Sequence, residues 1–593
     1  MMHKQLDDFF GLKPETASSQ NNKESIRETL GKKLSFWSRL RLLPKVLSWK
    51  ERYLVGSFLL IATGSFLAIP VTSFYHYTRA QPDYGGAFVE GILGEPRLIN
   101  PLLATASDAD RDLVDLIYSG LLKHNADGKL VPDLARSYEI SSDGLTYTVF
   151  LKENALWHDG KRVTADDVLF TIQTAQNPDY ASPQRVSWQG VEVEKVNDLT
   201  IMFKLKNKYA QFLNNLTLGI LPRHLWQEVR PINFTLSELN LKPVGSGYYK
   251  FDKFKKDRLG RIASYELSAY KKHHNGQPFI DRIELKFYNS EDEMIDAYNR
   301  SEIESLGFVS AQNVKKIKFS RRLDVHQLKL PRYFGVFFNQ NKSKVLSEKN
   351  VRLALSHATD KESILKNILD ENGMAVQSPM IGGILDISPS VPTYSYDRER
   401  AKTILATSGW SADSAGVLSK NKERLSVKLT TSTWPELVSV AQLLKEQWGA
   451  IGVDATVESL PFSQLQQVIK ERDYQALLFG EILSVDPDPF SLWHSSQKRD
   501  PGLNLALYDN ASADTLLEEA RQTLNPLERM KKYDDFQKIL IEDIPAAFLY
   551  SPYYLYAQTK DIQGFATSLI SMPSDRFSNI EQWYVETRRT WAK

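Results

Sequence analysis

The stretch "RLSVKLTTSTWPELVSVAQLLKEQWGAIGVDATVESL" constrains the fold more than any other part of the chain. Leu425 to Ser432 reads as a strand, and Pro435 suits the first turn of a helix. Leu437, Val440 or Ala441, Leu444 and Trp448 then recur at helical spacing. Gly452 closes the helix, and Val453 to Ser459 is the next strand. Two strands joined through a helix form a β-α-β crossover, so the sheet is parallel. Ligands of such sheets bind beyond the carboxyl ends of strands. Thr431, Ser432, Thr433 and Trp434 stand at such an end, where they are set to contact a ligand, against the alternative of an ordinary strand-to-helix turn.

The same alternation continues elsewhere. "LTYTVFLK" (Leu145 to Lys152) is β-branched and aromatic, and "LTIMFKLK" alternates Leu199, Ile201, Phe203 and Leu205 on one face. Between them, Thr164 and Asp167 form a capping-box pattern in front of Val168, Leu169 and Ile172. "PVGSGYYKF" (Pro243 to Phe251) is a Gly-rich turn leading to a strand, and "LPRYFGVFFNQN" is a strand running into a loop. The natural reading is two β/α-rich lobes. With 593 residues the chain has room for about four domain-sized units, or fewer large ones.

One segment stands apart. Leu54 to Phe74 contains no charged residue, and at about 1.5 Å per residue it reaches roughly 30 Å, enough to cross a bilayer. Lys32, Lys33, Arg39, Arg41, Lys45, Lys50 and Arg52 precede it, while Arg79 and Arg97 are the nearby positive charges that follow. The positive-inside rule therefore places the first fifty residues in the cytoplasm and the remainder outside. A buried core helix and a cleaved signal peptide are the rivals; no A-x-A site follows the apolar run, which favours an uncleaved anchor. Met1 to about Lys33 is polar and expected to be disordered. Leu34 to Leu47, with Trp37, Leu40 and Leu43 among basic residues, is a candidate for the inner membrane surface or a plain stop-transfer flank.

Composition narrows the function. There are 74 basic against 72 acidic residues, so no chain-wide nucleic-acid footprint exists. The absence of cysteine removes disulfides, thiolate nucleophiles and Cys-ligated zinc. There is no G-x-S-x-G, H-E-x-x-H, P-loop or EF-hand pattern. His273 and His274 are adjacent, so on a strand they would face opposite ways and could not share a metal. His158, before a turn, is expected to make a structural hydrogen bond. In "GEILSVDPDPFSLWHSS" Glu481, Asp486, Asp488 and His494 crowd together, but Pro487 and Pro489 fix a rigid loop at the end of a buried strand. Such a loop offers few inward metal ligands. It reads as a turn satisfied by its own aspartates, or as a pocket wall that meets a cationic group.

These segments together resemble the family 5 extracellular solute-binding proteins of ABC importers, the dipeptide- and oligopeptide-binding type, from Tyr84 to about Trp583. The matches keep the family's order. They are Asn100-Pro101, the L-x-P-x-L-A stretch from Leu130 to Ala135, the W-H-D-G turn from Trp157, the T-A-D-D-V start at Thr164, "PVGSGYYKF", "HHNGQPFIDRIELKFY", "FFNQNKSKVLSEKNVRLALSHATDKESIL" and "DPDPFSLW". The resemblance implies an α/β, two-lobed type II periplasmic-binding-protein fold with an extra inserted domain, here preceded by one N-terminal transmembrane helix. It implies lobe one over residues 84–123, 216–330 and 553–593, an inserted domain over 124–215, and a distal lobe over 331–552. Residues 1–52 would be a cytoplasmic basic tail and 53–77 the anchor.

The expected function is a non-enzymatic, membrane-anchored binding protein that captures peptides in the interlobe cleft, closes on them and docks on ABC permease subunits. It is expected to be a monomer, without a cofactor or a nucleic-acid partner. Sequence reasoning leaves a sugar, an opine or a metal chelate open as the ligand. The rivals are a metal-dependent hydrolase using Asp486, Asp488 and His494, and a sensor that signals through the anchor. Candidate ligand residues are Ser107, Ser246, Asn339, Ser432, Thr433, Trp434, Phe462, Glu481, Asp486 and Trp493, with Trp434 and Phe462 packing on ligand side chains. Two departures stand out. The family's acid just before the "DPD" loop is replaced at the matching positions by Leu483, Ser484 and Val485, and the usual Pro of the distal-lobe entry is missing.

Overall fold

The computed structural model describes residues 37, 41, 47–104, 107–381, 393–414, 416–484 and 486–591. The expected disordered tail and most of the 34–47 stretch lie outside these residues. The described chain divides into two units.

The smaller unit includes the helix Trp49–Tyr77, of 29 residues. Ser48 and Glu51 form a capping box at its start. Its side chains are exposed almost throughout, and it is long and apolar enough to cross a membrane by length and composition. The strand Thr78–Pro82 follows directly and pairs with the last strand, Thr587–Trp591. Arg589 fastens this pair, donating to the Thr78 hydroxyl at 2.8 Å and to the Thr78 and Tyr75 carbonyls at 2.9 and 3.0 Å. The end of the chain, expected in lobe one, thus forms part of the helix-bearing unit.

The larger unit, Pro82–Glu586, contains three main sheets. The first has seven strands in the order Leu323–Leu328, Tyr554–Thr559, Ser305–Leu306, Ala87–Leu93, Arg282–Tyr288, Ile262–Ala269 and Tyr249–Lys256. Ala87–Leu93 runs parallel to both of its neighbours. The second has six strands in the order Gly373–Ala375, Ala546–Pro552, Arg332–Phe338, Ala476–Ile482, Ser426–Ser432 and Asp454–Leu460. Here the expected crossover appears. Ser426–Ser432 and Asp454–Leu460 are parallel, in register from Ser426 opposite Asp454 to Ser432 opposite Leu460. The intervening helix Pro435–Gly449 has proline in its first turn and buries Leu437, Val440, Ala441, Leu444 and Trp448 against the sheet.

The third sheet, Ala135–Ile140, Thr146–Leu151, Thr200–Leu205 and Val191–Asn197, is wholly antiparallel. The helix Ala165–Gln176 starts at the expected cap, where the Asp167 carboxylate accepts the Thr164 N–H at 2.8 Å and the Arg223 N–H at 2.9 Å. One continuous core joins this sheet to the seven-stranded sheet, through residues such as Phe88, Trp157, Phe203 and Trp583. The six-stranded sheet has its own two cores, one on each face. The chain passes from the first sheet to the second between Leu328 and Arg332, and returns between Pro552 and Tyr554.

Candidate functional site at the crossover edge

Strand register fixes which residues share an edge. Arg332 lies opposite Ile482, and Phe338 opposite Ala476, so the strand that enters the second sheet begins where its neighbour ends. The parallel strands end on this same edge, at Ser432 and Leu460. The chain's two crossings between the sheets therefore meet the carboxyl ends of three strands, the place where α/β sheets bind ligands.

Four of the ten sequence-derived candidates fall there. The Ser432 hydroxyl accepts the Trp434 N–H at 3.2 Å, and the Thr433 N–H caps the next strand at the Leu460 carbonyl, 3.0 Å away. This turn leaves the Trp434 ring 47% exposed, 6.4 Å from Phe334. Phe462, 60% exposed, opens the helix after Asp454–Leu460. On the first-lobe side, Ser107 caps the helix Asp108–Ile117 by accepting the Asp110 N–H at 3.3 Å.

Other candidates are placed away from any open surface. Asn339 ends the strand Arg332–Phe338 at the opposite edge, where it is buried; its side chain donates to the Arg472 carbonyl at 3.0 Å and accepts from two backbone N–H groups. Trp493 is fully buried between Phe337, Tyr508 and Phe548. Ser246 is buried where Gly245 and Gly247 press on the backbone of Ile117. Glu481 points to the inner face, where Tyr333 donates its hydroxyl to Oε2. Burial pushes the Glu481 carboxyl up to about 8, against the opposing effects of Tyr333 and Arg472.

In the proline-rich loop Asp488 accepts the Phe490 N–H at 3.3 Å, the turn bond expected of it, and the acids also pair with arginines. Asp486 accepts from Arg529 at 2.9 Å, and Asp488 takes the Arg521 guanidinium at 2.7 and 2.8 Å. His494 stacks on Phe490 and turns to Ser496 and Glu518. The three proposed metal ligands thus each have their own partner. The loop also joins the two lobes. Gln211 donates to the Pro487 carbonyl at 3.0 Å and to the Tyr533 hydroxyl at 3.1 Å, the Ala210 N–H meets the Arg521 carbonyl at 2.7 Å, and Tyr209 reaches Asp488 at 3.5 Å.

The expectation for the histidine pair is corrected. His273 and His274 lie in a turn after Ile262–Ala269, not on a strand, and their rings come within 4.0 Å. With Asp133 they form a buried group whose ligand atoms lie within 4.8 Å of one another. A metal would have to displace existing bonds. His274 meets Asp133 at 2.8 Å, and the Asn275 N–H occupies His273 Nδ1 at 3.1 Å, which leaves the proton on Nε2. His158 makes the structural bonds expected of it, to the Gly247 carbonyl at 3.0 Å and from the Gly245 N–H at 3.2 Å.

Sequence reasoning missed the charged part of the edge. Arg332 lies over the Phe334 ring, 5.4 Å from its centroid, and its Nε is buried without a hydrogen-bond partner among the described residues. Burial pulls this guanidinium below its ordinary value, while Glu436, Tyr550 and Asp108 act to raise it. Tyr550 donates to Glu436 at 2.8 Å and stacks on Phe334 at 5.1 Å. An arginine beside an exposed tryptophan and free strand ends can accept a carboxylate, a side chain and main-chain hydrogen bonds at once. The one available signal was Arg332 itself, a charge at the mouth of an otherwise apolar strand.

Two α/β lobes joined by two short crossings, with exposed aromatics at the junction, define a solute-binding protein fold. The profile of the bacterial extracellular solute-binding proteins, family 5, matches residues 129–502. The oligopeptide-binding protein AppA of Bacillus subtilis is 31% identical over 520 residues, covering 86% of this chain and 93% of AppA. The chain belongs to this family of solute-binding proteins. Among solved structures, AppA of Bacillus subtilis in complex with a nonapeptide matches with a TM-score of 0.68 at 30% identity, over 85% of this chain and all of AppA. NikZ of Campylobacter jejuni in complex with Ni(L-His) matches with a TM-score of 0.70 at 29% identity, over 84% of this chain and 99% of NikZ.

Proposed function

We propose that this chain is the peptide receptor of an ABC importer, tethered to the membrane by the helix Trp49–Tyr77. The observation that carries the reading is the match to an oligopeptide-binding protein along nearly its whole length. Residues 84–328 and 554–586 act as one lobe with its inserted domain, and 332–552 act as the other. Peptide lies along the crossover edge, with Trp434 and Phe462 against its side chains and Arg332 facing a carboxylate. The protein releases its ligand unchanged to the permease. The basic flank before the helix supports a cytoplasmic N-terminus and an extracytoplasmic binding body.

The test is thermal unfolding of the full chain in detergent with di- to nonapeptides, sugars and nickel–histidine. A ligand selective for the native state adds about 2.7 kcal/mol at a hundredfold over Kd. A rise with peptides alone is the expected result. A rise with nickel–histidine alone would replace the peptide by a metal chelate, the reading favoured by the likeness to NikZ. Protease accessibility in intact cells reports the topology: the binding body is cut from outside, the tail is not.

A further inference from the structure

The first lobe contains a cavity of about 270 Å³ that none of the sequence-derived candidates lines. Its walls come from the helix Asp108–Ile117, the Tyr118–His124 segment that follows, the Gly247-Tyr248 turn and residues 571–580. Asp108, Arg111 and Asp115 are spaced three and four apart on the helix, so they share one face, and Arg111 and Asp115 line the space. The same helix begins at Ser107, and Asp108 in its first turn acts on Arg332 at the crossover edge.

The charges on its walls are unevenly satisfied. Arg111 pairs with Asp108 at 2.6 Å, Lys123 with Glu581 at 3.3 Å, Asp133 with His274 at 2.8 Å, and His124 meets Asn214 at 3.3 Å. That leaves two carboxylates. Asp115 is exposed to the cavity, has the Ser574 hydroxyl beside it, and no cation bonds to it among the described residues. Asp575 accepts the backbone N–H groups of Ser571 and Met572, at 2.6 and 3.1 Å, and has His124 as its nearest cationic neighbour, which is itself held by Asn214. Burial, then the charge of Asp575, pushes the Asp115 carboxyl up to about 7. Independently, hydroxyls on the walls are buried without a well-aligned hydrogen-bond partner among the described residues: those of Tyr118, itself 5% exposed, Ser571 and Ser574. Buried hydroxyls left in this condition are costly unless a partner joins them.

We propose that this cavity is a subsite for a primary ammonium group, accepted by the carboxylates of Asp115 and Asp575. An ammonium brings three donors and one positive charge to two acceptors that otherwise repel each other. The space lies just under the usual size of a small-molecule site, which suits a small amine or the first residue of an extended chain. Where the ammonium is a peptide's amino terminus, the inference rests on the peptide-receptor reading; a free amine carries the same chemistry without it.

The experiment is calorimetric titration of the full chain in detergent at pH 7.5. The probes are alanine peptides of three to nine residues, free or N-acetylated, and 1,4-diaminobutane. The expected result is at least tenfold weaker binding of acetylated peptides, with that difference abolished in Asp115→Asn and reduced in Asp575→Asn. Both variants remove one of two like charges that face each other, so their unfolding midpoints should equal or exceed the parent's. Equal affinity for free and acetylated peptides overturns the subsite and keeps the peptide reading. Binding of diaminobutane alone, lost in Asp115→Asn, keeps the subsite and overturns the peptide reading. No binding of any probe overturns both.

Discussion

Glu481→Gln offers a test of buried-acid electrostatics that needs no ligand. Glu481 is buried with Tyr333 on its Oε2, and its Oε1 has no partner among the described residues. Its carboxyl is raised from 4.5 to about 8, so the folded chain binds a proton there that the unfolded chain releases. Stability from this group is full below pH 4.5 and is lost as pH rises toward 8. Linkage with these two values gives a loss of about 3–4 kcal/mol between pH 5 and pH 8, an upper figure for a single site. Glutamine keeps an oxygen for Tyr333 and does not ionise. The variant should match the parent near pH 5 and gain on it steadily to pH 8. With unfolding entropy near 2.1 cal/mol/K per residue over a body of about 500 residues, that gain is roughly 3 °C in midpoint. Calorimetry at pH 5, 6.5 and 8 reads it. A parent–variant difference that is constant across pH would refute the buried-acid argument.

Other perturbations probe different parts. Arg576 lies fully buried between Glu90 and Asp112, with guanidinium contacts of 2.6 to 3.0 Å; Arg576→Ala should cost about 3–5 kcal/mol by denaturant unfolding, because two carboxylates lose their cation. Trp434→Ala should weaken peptide binding about tenfold with an unchanged midpoint, since the ring is half exposed; a midpoint drop of several degrees would mark it as core. Gly245→Ala would place a methyl 1.9 Å from the Ile117 carbonyl and should abolish soluble expression of the folded chain. Gln211→Ala should loosen the contact with Pro487 and Tyr533, seen as a larger radius of gyration by X-ray scattering without ligand. An unchanged radius would mean that this contact does not hold the lobes.

Local pattern accounts for what was legible in the sequence. The crossover at 425–460, the capped helix at 165 and the apolar helix at 49–77 each depend on periodicity and end signals within one segment. The edge cluster could not be read this way. Arg332, Trp434, Glu436 and Tyr550 come from three segments, joined by strand register that no local pattern encodes. The crowded acids near His494 misled for the same reason. Their partners Arg521 and Arg529 lie more than thirty residues away, on other helices. The histidine pair was misread because a turn, not a strand, sets its geometry.

The two crossings between the sheets also bear on ancestry and on engineering. The strands that enter and leave the distal lobe, Arg332–Phe338 and Ala546–Pro552, are direct neighbours, with Phe334 opposite Tyr550. The lobe's entry and exit are therefore side by side. A segment of some 220 residues with adjoining ends and its own cores behaves as a cassette. Exchanging it between relatives at these two seams would transplant half of a binding specificity while leaving the helix-bearing unit and the first lobe untouched.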